Sequence, residues 1–480
     1  MSSFLRRLLP PVKRYKEQTV AATQAPQPEP TNADEAAPNH SSSPVISTLA
    51  AAQPEPPDTE KEPTMSSGSP SRPPSPAREF PSSGFHNFAK SRKIDEENYS
   101  WFSHKEFYPV RIGQVIRDRY QVITKLGYGT SSTSWLCRDL KGHRYVAIKV
   151  YAANQGQAKR EVAAFKHIQG VLNNTSATGC GGARFIRLLH KSFELDHPKS
   201  AKKNLCLVYE PMGMSLADLR RVACDGNVPL ELLKPMLPYL LAAVDFMHTK
   251  ANMVHTDIQE GNIMFSIEDE AELKEIEDDE MSTPSSRKVY KDEATFLTRQ
   301  VFTEVGDPKL IDLGEARFGQ KSYEEEVMPD LYRAPEILLG VPWDEKVDIW
   351  ALGLTIWTCV EGENLFTDNS GGRFKSAVPH MARMISLLGP PPQSLLDKSP
   401  KANEFFDKHG QFKKSNKVKQ TSLEQEEKLL EGEEKAEFLR FIRRMLQWDP
   451  ASRPSAAELV SDPFLRADPD AQDEEGADGE

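Results

Sequence analysis

The stretch Val254-His255-Thr256-Asp257-Ile258-Gln259-Glu260-Gly261-Asn262 decides how the rest of this 480-residue sequence is interpreted. It has the spacing His-x-Asp-x-x-x-x-Asn. An aspartate in this pattern can orient or deprotonate a hydroxyl group, and the asparagine can supply an oxygen to a metal ion. Short combinations of these residues also occur by chance, so the loop alone is a weak signal. Its weight comes from the motifs that lie in order on both sides of it.

Length and composition narrow the class of protein. A chain of 480 residues can form one large two-lobed domain with tails. The net charge of −11 gives no overall nucleic-acid footprint and suits basic partners, although solubility alone also accounts for mild acidity. The five cysteines include no Cys-x-x-Cys pair, so we expect reduced thiols in an intracellular protein and no zinc site. The longest apolar run, from Leu237 to Met247, is interrupted by Pro238 and Asp245, so no membrane span is predicted.

Both ends of the chain have the composition of disordered tails. Residues 1–95 are rich in Pro, Ser, Ala, Thr and Glu and cannot bury enough apolar surface to offset the entropy of ordering. Residues 467–480 are acidic. The first residues, Phe4 to Leu9, are basic and apolar like the start of a mitochondrial transit peptide, but Pro10-Pro11 would cut a helix short, which favours a free basic tail.

Between the tails, a β-rich part precedes a helical part. Residues 113–150 are predicted as strands with turns, residues 157–172 have helical spacing, and the pattern is mostly helical from Leu216 onward. Residues 266–308 interrupt this order with the strongly acidic run Glu268 to Glu280. We predict a solvated insertion loop there, with docking of basic peptides as the alternative. The expected fold class is α+β.

Residues Leu126 to Trp135, Leu-Gly-Tyr-Gly-Thr-Ser-Ser-Thr-Ser-Trp, are typical of a hairpin that covers a nucleotide. Gly127 and Gly129 let backbone amides approach phosphate oxygens closely. Ser132 replaces the third glycine of the usual Gly-x-Gly-x-x-Gly pattern, and Ser134 replaces the usual valine. Taken alone, the motif favours an ordinary hairpin with a glycine turn.

Two further motifs supply charged groups. Val146-Ala147-Ile148-Lys149 places a lysine on a buried strand, which is costly unless the lysine is paired, and Glu161 on the following helix is its natural partner. Such a pair can hold the α- and β-phosphates of ATP. In Leu310-Ile311-Asp312-Leu313-Gly314, the aspartate can chelate magnesium together with Asn262.

Three later motifs have structural roles. They are Ala334-Pro335-Glu336, the run Asp348 to Gly353, and Gln447-Trp448-Asp449-Pro450 with Arg453-Pro454. Glu336 and Arg453 are expected to form a buried ion pair. The motifs occur together and in order, which makes coincidence negligible.

With these motifs the chain resembles eukaryotic protein kinases over residues 108–466. It is most similar to the SR-protein kinase family, in a divergent fungal-type branch. The features that carry this resemblance are Tyr108 to Gly113 before Asp118-Arg119-Tyr120, Ser-Thr-x-Trp at 132–135, His-Thr-Asp in the catalytic loop, and Asp-Leu-Gly at 312–314. It implies a bilobal kinase fold with a small lobe at 108–213, a large lobe at 214–466 and an insertion at 266–308.

The resemblance also implies residue roles. Asp257 is the catalytic base, Lys149 and Glu161 position ATP, and Asn262 and Asp312 hold Mg²⁺. Adenine is expected to bind backbone groups that follow Tyr209 at the gatekeeper position. The full set of expected ATP-binding residues is Leu126, Gly127, Gly129, Ser132, Ser134, Ala147, Lys149, Glu210, Met212 and Met264.

The activity implied is transfer of the γ-phosphate of ATP to protein Ser/Thr. Arg/Ser-rich proteins linked to mRNA splicing are the candidate substrates, although the divergent branch leaves other protein substrates open. We expect a monomer in the cytoplasm and nucleus that acts on protein and binds neither nucleic acid nor membrane.

Gln259 departs from the kinase pattern, because protein kinases usually carry a lysine there that meets the γ-phosphate. Loss of such a contact costs about 2–4 kcal/mol by analogy with a lost oxyanion donor. A pseudokinase scaffold with weakened transfer is therefore the alternative, although Lys149, Asp257, Asn262 and Asp312 are all retained. A small-molecule kinase is a third hypothesis, which the peptide-lobe motifs at 334–336 and 448–454 argue against.

Thr256 replaces the arginine that usually binds a phosphorylated activation loop. The segment from Phe318 to Pro329 has only Ser322 and Tyr323 as hydroxyl residues. We therefore predict activity without phosphorylation of this segment.

Overall fold

The computed structural model describes residues 72–174, 180–291, 293–301, 305–367, 377–414 and 421–466. The predicted disorder of residues 1–71 and 467–480, and the interpretation of the N-terminus as a targeting signal, lie outside these ranges. In the described part of the chain no helix is long and apolar enough to cross a membrane.

The small lobe is built on an antiparallel sheet of six strands. The order across this sheet is β1-β2-β3-β4-β6-β5. Alternation along β4 places Val146, Ile148 and Val150 in one apolar cluster of the sheet, so Lys149 between them faces the opposite side. The strands of the whole described chain are β1 Val115–Ile116, β2 Tyr120–Tyr128, β3 Ser132–Asp139, β4 Arg144–Tyr151, β5 Leu189–Asp196, β6 Lys203–Tyr209, β7 Met212–Ser215, β8 Met253–Val254, β9 Ile263–Ser266, β10 Arg287–Val289, β11 Ala294–Phe296, β12 Pro308–Leu310 and β13 Arg317–Phe318.

Helices form most of the large lobe. The α-helices are α1 Gly156–Asn174, α2 Leu216–Asp218, α3 Leu230–Leu233, α4 Leu237–Asp245, α5 Glu270–Ser282, α6 Pro335–Leu339, α7 Lys346–Glu361, α8 Ala377–Leu388, α9 Gln393–Leu396, α10 Ala402–Phe405, α11 Leu423–Glu426, α12 Gly432–Met445 and α13 Ala456–Val460. Short 3₁₀ or π turns lie at Asp95–Asn98, Gly181–Phe185, Leu219–Ala223, Lys234–Met236, Phe246–Lys250, Glu260–Asn262, Leu313–Glu315, Asp330–Tyr332, Pro450–Ser452 and Pro463–Leu465.

Helix α7 is the centre of the large lobe, and its residues from Val347 to Val360 are all buried. A side chain at Gly353 would come within 3.0 Å of Met445, so glycine is what allows α7 and α12 to pack closely. Trp350 stacks on Phe366 with ring centroids 5.6 Å apart. The helix is therefore a rigid support, and its first turn faces the catalytic loop.

The described residues of the insertion at 266–308 include a helix and a hairpin, so the prediction of a solvated loop there is wrong. Helix α5 lies against β2, and its Leu273 packs with Ile123 and Leu136 of the small lobe. Its acidic residues are partly turned inward: Glu280 accepts hydrogen bonds from Thr124 Oγ1 (3.0 Å) and Arg299 Nε (2.9 Å). Strands β10 and β11 form a hairpin beside the helix. The acidic run also contains the apolar residues Leu273 and Ile276, whose packing partners are far away in the sequence.

Residues 72–98, which we call the N-terminal strap, lie on the small lobe. The sequence prediction placed order only from about residue 99. The strap bonds to the sheet through Ser75 N–H and Leu140 O (2.8 Å) and to the insertion through Phe88 N–H and Arg287 O (2.9 Å). Its last turn carries Asp95 and Glu96, which both bind the buried Lys125 of β2. A chain poor in apolar residues is thus held by polar contacts that composition does not reveal.

Candidate active site

The catalytic loop lies between β8 and β9 and is anchored from below by Asp348 of α7. The Asp348 carboxylate accepts the backbone N–H groups of His255 (2.7 Å) and Thr256 (2.8 Å) and bonds to His248 Nε2 (2.9 Å). Thr256 has a φ of 67°, a conformation that non-glycine residues adopt only when neighbouring contacts impose it. These contacts fix the backbone immediately before Asp257.

Asp257 is held by two amide side chains. Asn262 Nδ2 donates to Asp257 Oδ2 (2.8 Å) and to the Asp257 carbonyl (2.9 Å), and Gln259 Nε2 donates to Oδ1 (2.8 Å). Burial, followed by the negative charge of Asp312, raises the pKa of Asp257 to about 7. Because the Asn262 nitrogen is used on Asp257, its side-chain oxygen is the atom that could bind a cation. Gln259 thus contacts the base directly.

Lys149 joins the two lobes of the site. Its ammonium lies 3.1 Å from Glu161 Oε2 and 3.0 Å from Asp312 Oδ2. Burial raises the pKa of the Asp312 carboxyl, but the positive charge of Lys149 lowers it by more. The pKa of Asp312 is therefore held below its usual range. Asp312 has a φ of 62°, and its carboxylate accepts the Gly314 N–H at 3.2 Å. The predicted pair of Lys149 and Glu161 is therefore present and includes the Asp-Leu-Gly aspartate.

Two tyrosines that the sequence analysis did not assign to this network complete it. Tyr209 donates to Glu161 Oε1 (2.7 Å), and Tyr151 donates to Glu161 Oε2. Phe165 of α1 packs on the edge of the Tyr209 ring, with centroids 5.7 Å apart. Tyr151 lies two residues after Lys149 and so on the same face of β4, which is the signal that could have identified it.

The glycine-rich hairpin connects β2 and β3, and its turn is closed by a bond from Gly129 N–H to Ser132 O (2.8 Å). A side chain at Gly127 would meet no described atom within 4 Å, and one at Gly129 would meet only Ser132 Oγ, at 3.9 Å. The backbone at both glycines therefore has free space beside it. Ser134 is paired with Lys149 across the sheet, while Ser132 itself is buried.

The other expected ATP-binding residues lie around the same space. Ala147 is paired with the gatekeeper Tyr209. Met264 of β9 is paired with Lys309 of β12 and with Ser215 of β7. It therefore lies between β7 and β12, the strand that precedes Asp312. Leu126 is half-buried at the end of β2, and Met212 is buried at the start of β7. Ala147 thus lies beside Tyr209 in the sheet, and Met212 follows Tyr209 along the chain.

Glu210, which lies just after Tyr209 at the hinge between the two lobes, has a hydrogen-bond partner that the sequence did not predict. The backbone carbonyl of Glu210 accepts Arg187 Nε (3.1 Å) and Nη2 (2.6 Å), while the Glu210 carboxylate bonds to Lys309 Nζ (2.7 Å). The guanidinium of Arg187 also lies over the Tyr209 ring, 4.6 Å from its centroid. Adenine was expected to bind backbone groups of Glu210 and Met212, and the Glu210 carbonyl is one of these groups.

Glu260 and Gly261, which replace the usual Pro-Glu of the loop, have distinct surroundings. Glu260 makes a two-point ion pair with Arg220, at 2.7 and 2.8 Å. Gly261 has no described atom within 4 Å of where a side chain would begin. Below them, the predicted Glu336–Arg453 pair is confirmed as a fully buried two-point contact at 2.6 and 2.7 Å.

The activation segment, which we define as residues 312–336, is held by an internal acid. Glu325 Oε1 accepts Arg317 Nε at 2.8 Å, and Arg317 lies on β13, which pairs with β8 at the entrance to the catalytic loop. Tyr323 is buried and stacks on Trp343 with centroids 4.8 Å apart, whereas Ser322 is exposed. Of the two hydroxyl residues, only Ser322 is accessible as the structure stands.

Comparison with known proteins agrees with this geometry. A family model described as the protein kinase domain matches residues 120–465. A serine/threonine protein kinase of Aspergillus fumigatus is 39% identical over 394 residues, covering 82% of this chain and 96% of that protein. The serine/threonine-protein kinase SRPK of Physarum polycephalum is 28% identical over 386 residues, covering 75% and 88%. Protein kinase dsk1 of Schizosaccharomyces pombe is 26% identical over 475 residues, covering 78% and 86%.

Among solved structures, the crystal structure of the kinase domain PF14_0431 is similar with a TM-score of 0.58 and 24% identity. The match covers 76% of this chain and 100% of that structure. At this level of identity it supports the kinase fold and nothing further. The family model spans well over half of the chain, and the relatives are named serine/threonine kinases. Nothing in these comparisons favours the pseudokinase alternative. The chain is thus a serine/threonine protein kinase of the eukaryotic protein kinase family, similar to the SR-protein kinases.

Proposed function

We propose that this kinase uses ATP and Mg²⁺ to phosphorylate serine or threonine in Arg/Ser-rich proteins. The observation that carries the proposal is a single cluster in which Lys149 bonds to Glu161 and Asp312 while Asp257 bonds to Asn262. Phosphoryl transfer needs little covalent chemistry from the protein, so positioning and charge supply most of the catalysis. The cluster provides both.

The residues of the cluster fit a nucleotide and a hard cation. Asp312 and Asn262 offer carboxylate and amide oxygens, the ligand types that magnesium prefers. Free space beside Gly127 and Gly129 leaves their backbone accessible to phosphate oxygens. When bound, magnesium would neutralise charge on the phosphates. Lys149, fixed by two carboxylates, would bind the phosphates from the side of the small lobe.

Asp257 would orient the substrate hydroxyl and accept its proton. A pKa of about 7 suits a general base that works at neutral pH. Asn262 and Gln259 each donate to one of its oxygens, so the carboxylate cannot rotate freely. The direction of attack is thereby set before substrate binds, which lowers the entropy cost of transfer.

Arg/Ser-rich substrates are supported by the similarity to the kinase named SRPK and by the charge of −11. A role in mRNA processing, and a location in the cytoplasm and nucleus, would follow from this substrate class. We propose that the protein acts as a monomer.

The test is transfer from labelled ATP to an Arg-Ser repeat peptide. Arg-Ala and Lys-Ser repeats serve as matched peptides, and Asp257→Ala is expected to abolish transfer. Asp279→Ala, at an exposed position on α5, is the control variant and should retain full activity. Intact ATP binding without transfer would refute kinase activity on this substrate. Equal transfer to Lys-Ser would refute the preference for arginine while leaving the kinase assignment intact.

A further inference from the structure

Arg187 is a charged residue of the nucleotide pocket that none of the roles above uses. Its backbone N–H donates to Leu310 O (2.9 Å), two residues before Asp312. Its guanidinium lies over the ring of Tyr209, whose hydroxyl bonds to Glu161. Arg187 therefore belongs to the wall of the space that Lys149 and Asp312 also line.

The guanidinium is directed at one atom, the backbone oxygen of Glu210. Two N–H groups bind it, at 3.1 Å from Nε and 2.6 Å from Nη2. The Glu210 carboxylate does not compete for Arg187, because it is bonded to Lys309 at 2.7 Å. If the proposed nucleotide site is correct, this carbonyl is where the amino group of adenine would donate.

The hydrogen-bonding groups of Arg187 and of adenine are poorly matched beside the Glu210 carbonyl. Adenine presents an amino donor at position 6, whereas guanine presents a carbonyl acceptor there. A guanidinium has five N–H donors and no acceptor. The two bonds to Glu210 leave further N–H groups that can donate to a carbonyl oxygen but cannot accept from an amino group. Arginine paired with the O6 edge of guanine is a strong and common contact.

We propose that Arg187 sets the nucleobase selectivity of this kinase and makes GTP at least as good a phosphate donor as ATP. The inference rests on the proposed nucleotide site and deepens it. The determinant is the oxygen at position 6 of the purine, so ITP, which has this oxygen but lacks the 2-amino group of guanine, should behave like GTP. Protein substrate and catalytic residues are unchanged.

Binding is the first test, because it does not depend on transfer. Dissociation constants of the β,γ-imido analogues of ATP, GTP and ITP are measured by calorimetry on the full chain with magnesium present. In the wild type, the GTP and ITP analogues should bind at least as tightly as the ATP analogue. In Arg187→Leu the ratio of GTP to ATP affinity should fall roughly tenfold to a hundredfold, the usual range for a hydrogen bond from a charged donor.

The controls separate selectivity from folding. Lys191→Met, at an exposed position on β5, removes a positive charge from the small lobe without changing a partner of Arg187 or Glu210, and should leave the ratio of GTP to ATP affinity unchanged. Arg187→Gln keeps a polar side chain at the site, but the glutamine amide can also accept a hydrogen bond from adenine. The ratio of GTP to ATP affinity should therefore fall in this variant too. The kcat/KM for phosphate transfer from GTP and from ATP should follow the affinities.

Two results would overturn the inference. One is a wild type that binds the ATP analogue more than tenfold tighter than the GTP analogue. The other is a ratio of GTP to ATP affinity that stays within threefold of the wild-type ratio in both Arg187 variants. In either case ATP-dependent transfer, and with it the proposed function, would still stand. Absence of binding by all three analogues would instead refute the nucleotide site itself.

Discussion

Gln259 is the position at which the positive charge usual in protein kinases is missing from the site. It donates to Asp257 Oδ1 at 2.8 Å and so orients the base, but it brings no positive charge toward the phosphate. A lysine at this position could make both contacts. Its absence is consistent with a slower kinase and does not require an inactive one, because every other predicted catalytic group is assembled.

We therefore expect Gln259→Lys to raise kcat. The gain is bounded by about 2–4 kcal/mol in the activation free energy, the value of a lost oxyanion donor. The measurement is single-turnover transfer to the Arg-Ser peptide, with Gln259→Met as the control that removes the donor and adds no charge. A wild-type enzyme that is already fast and does not respond to lysine would show that the missing charge is unimportant.

Glu361, at the end of α7, gives a prediction about pH. Burial, followed by its contact with the Glu427 carboxyl, raises the pKa of Glu361 to about 7 from an ordinary value of 4.5. Between these pH values the folded protein binds more protons than the unfolded chain, so this residue lowers stability as pH rises.

Glu361→Gln should therefore unfold like the wild type near pH 4.5 and be more stable above pH 7. The gain should be on the order of 1 kcal/mol once solvent screening is allowed for. Urea unfolding across this pH range measures it, with Glu363→Gln, an exposed neighbour, as the control. Equal stability of Glu361→Gln and wild type at pH 8 would contradict the prediction.

At the scale of elements, the activation segment carries its own negative charge. Kinases that depend on phosphorylation order this segment through new arginine–phosphate pairs. Here Glu325 already binds Arg317, next to the strand that leads into the catalytic loop. A carboxylate thus ties the activation segment to β13 through an ion pair.

Glu325→Gln should lower kcat by up to about fivefold, as expected for loss of one exposed ion pair. The neighbouring Glu324→Gln is the matched control and should have no effect. Hydrogen exchange of residues 318–330 provides an independent readout, because the segment should become less protected when the pair is lost. An unchanged rate together with unchanged protection would show that the pair has no positioning role.

The two hydroxyl residues of this segment should be dispensable for activity. Tyr323 is buried against Trp343, so a kinase cannot reach it without local unfolding, and phosphorylation of the exposed Ser322 has no predicted role. We expect the double variant Ser322→Ala with Tyr323→Phe to retain the wild-type rate. A collapse of activity, with thermal stability unchanged, would mean that phosphorylation is required.

The elements also show where sequence was informative. Lys149, Asp257, Asn262 and Asp312 occur at fixed spacings because one chemistry needs them, so their grouping was predictable. Arg187 belongs to no such spacing, and its role depends on where the hinge carbonyl of Glu210 lies.

The insertion and the strap were missed for a different reason. Their apolar contacts are few, and the groups that satisfy their polar residues lie far away in the sequence. Thr298, for example, donates to Asp95 across 203 positions. A local pattern of charge and hydrophobicity cannot contain that information.

At the scale of the molecule, Lys125 links three separate parts. Its ammonium is fully buried, binds Asp95 (3.0 Å) and Glu96 of the strap, and donates to the Phe296 carbonyl of the insertion (3.0 Å). The residue itself belongs to β2, one position before Leu126 and the glycine-rich hairpin. The strap and the insertion therefore meet at the strand that leads into the glycine-rich hairpin.

Lys125→Met should destabilise the protein by about 3–5 kcal/mol, because it leaves buried carboxylates without their counter-charge. Chemical denaturation measures this loss, and Lys141→Met, at an exposed position in the turn between β3 and β4, is the control. The strap should also become sensitive to proteolysis. Unchanged stability would mean that the carboxylates are protonated or hydrated in the folded protein.

The contact between the strap and the insertion also has a consequence for synthesis on the ribosome. Asp95 emerges early, but its partner Thr298 is made 203 residues later. At about 5–20 residues per second, this contact between the strap and the insertion can form only on the order of 10–40 seconds after Asp95 is made. During that interval the buried lysine of β2 lacks part of its final environment, so the nascent small lobe is a natural client for chaperones until the catalytic loop and the insertion have been translated.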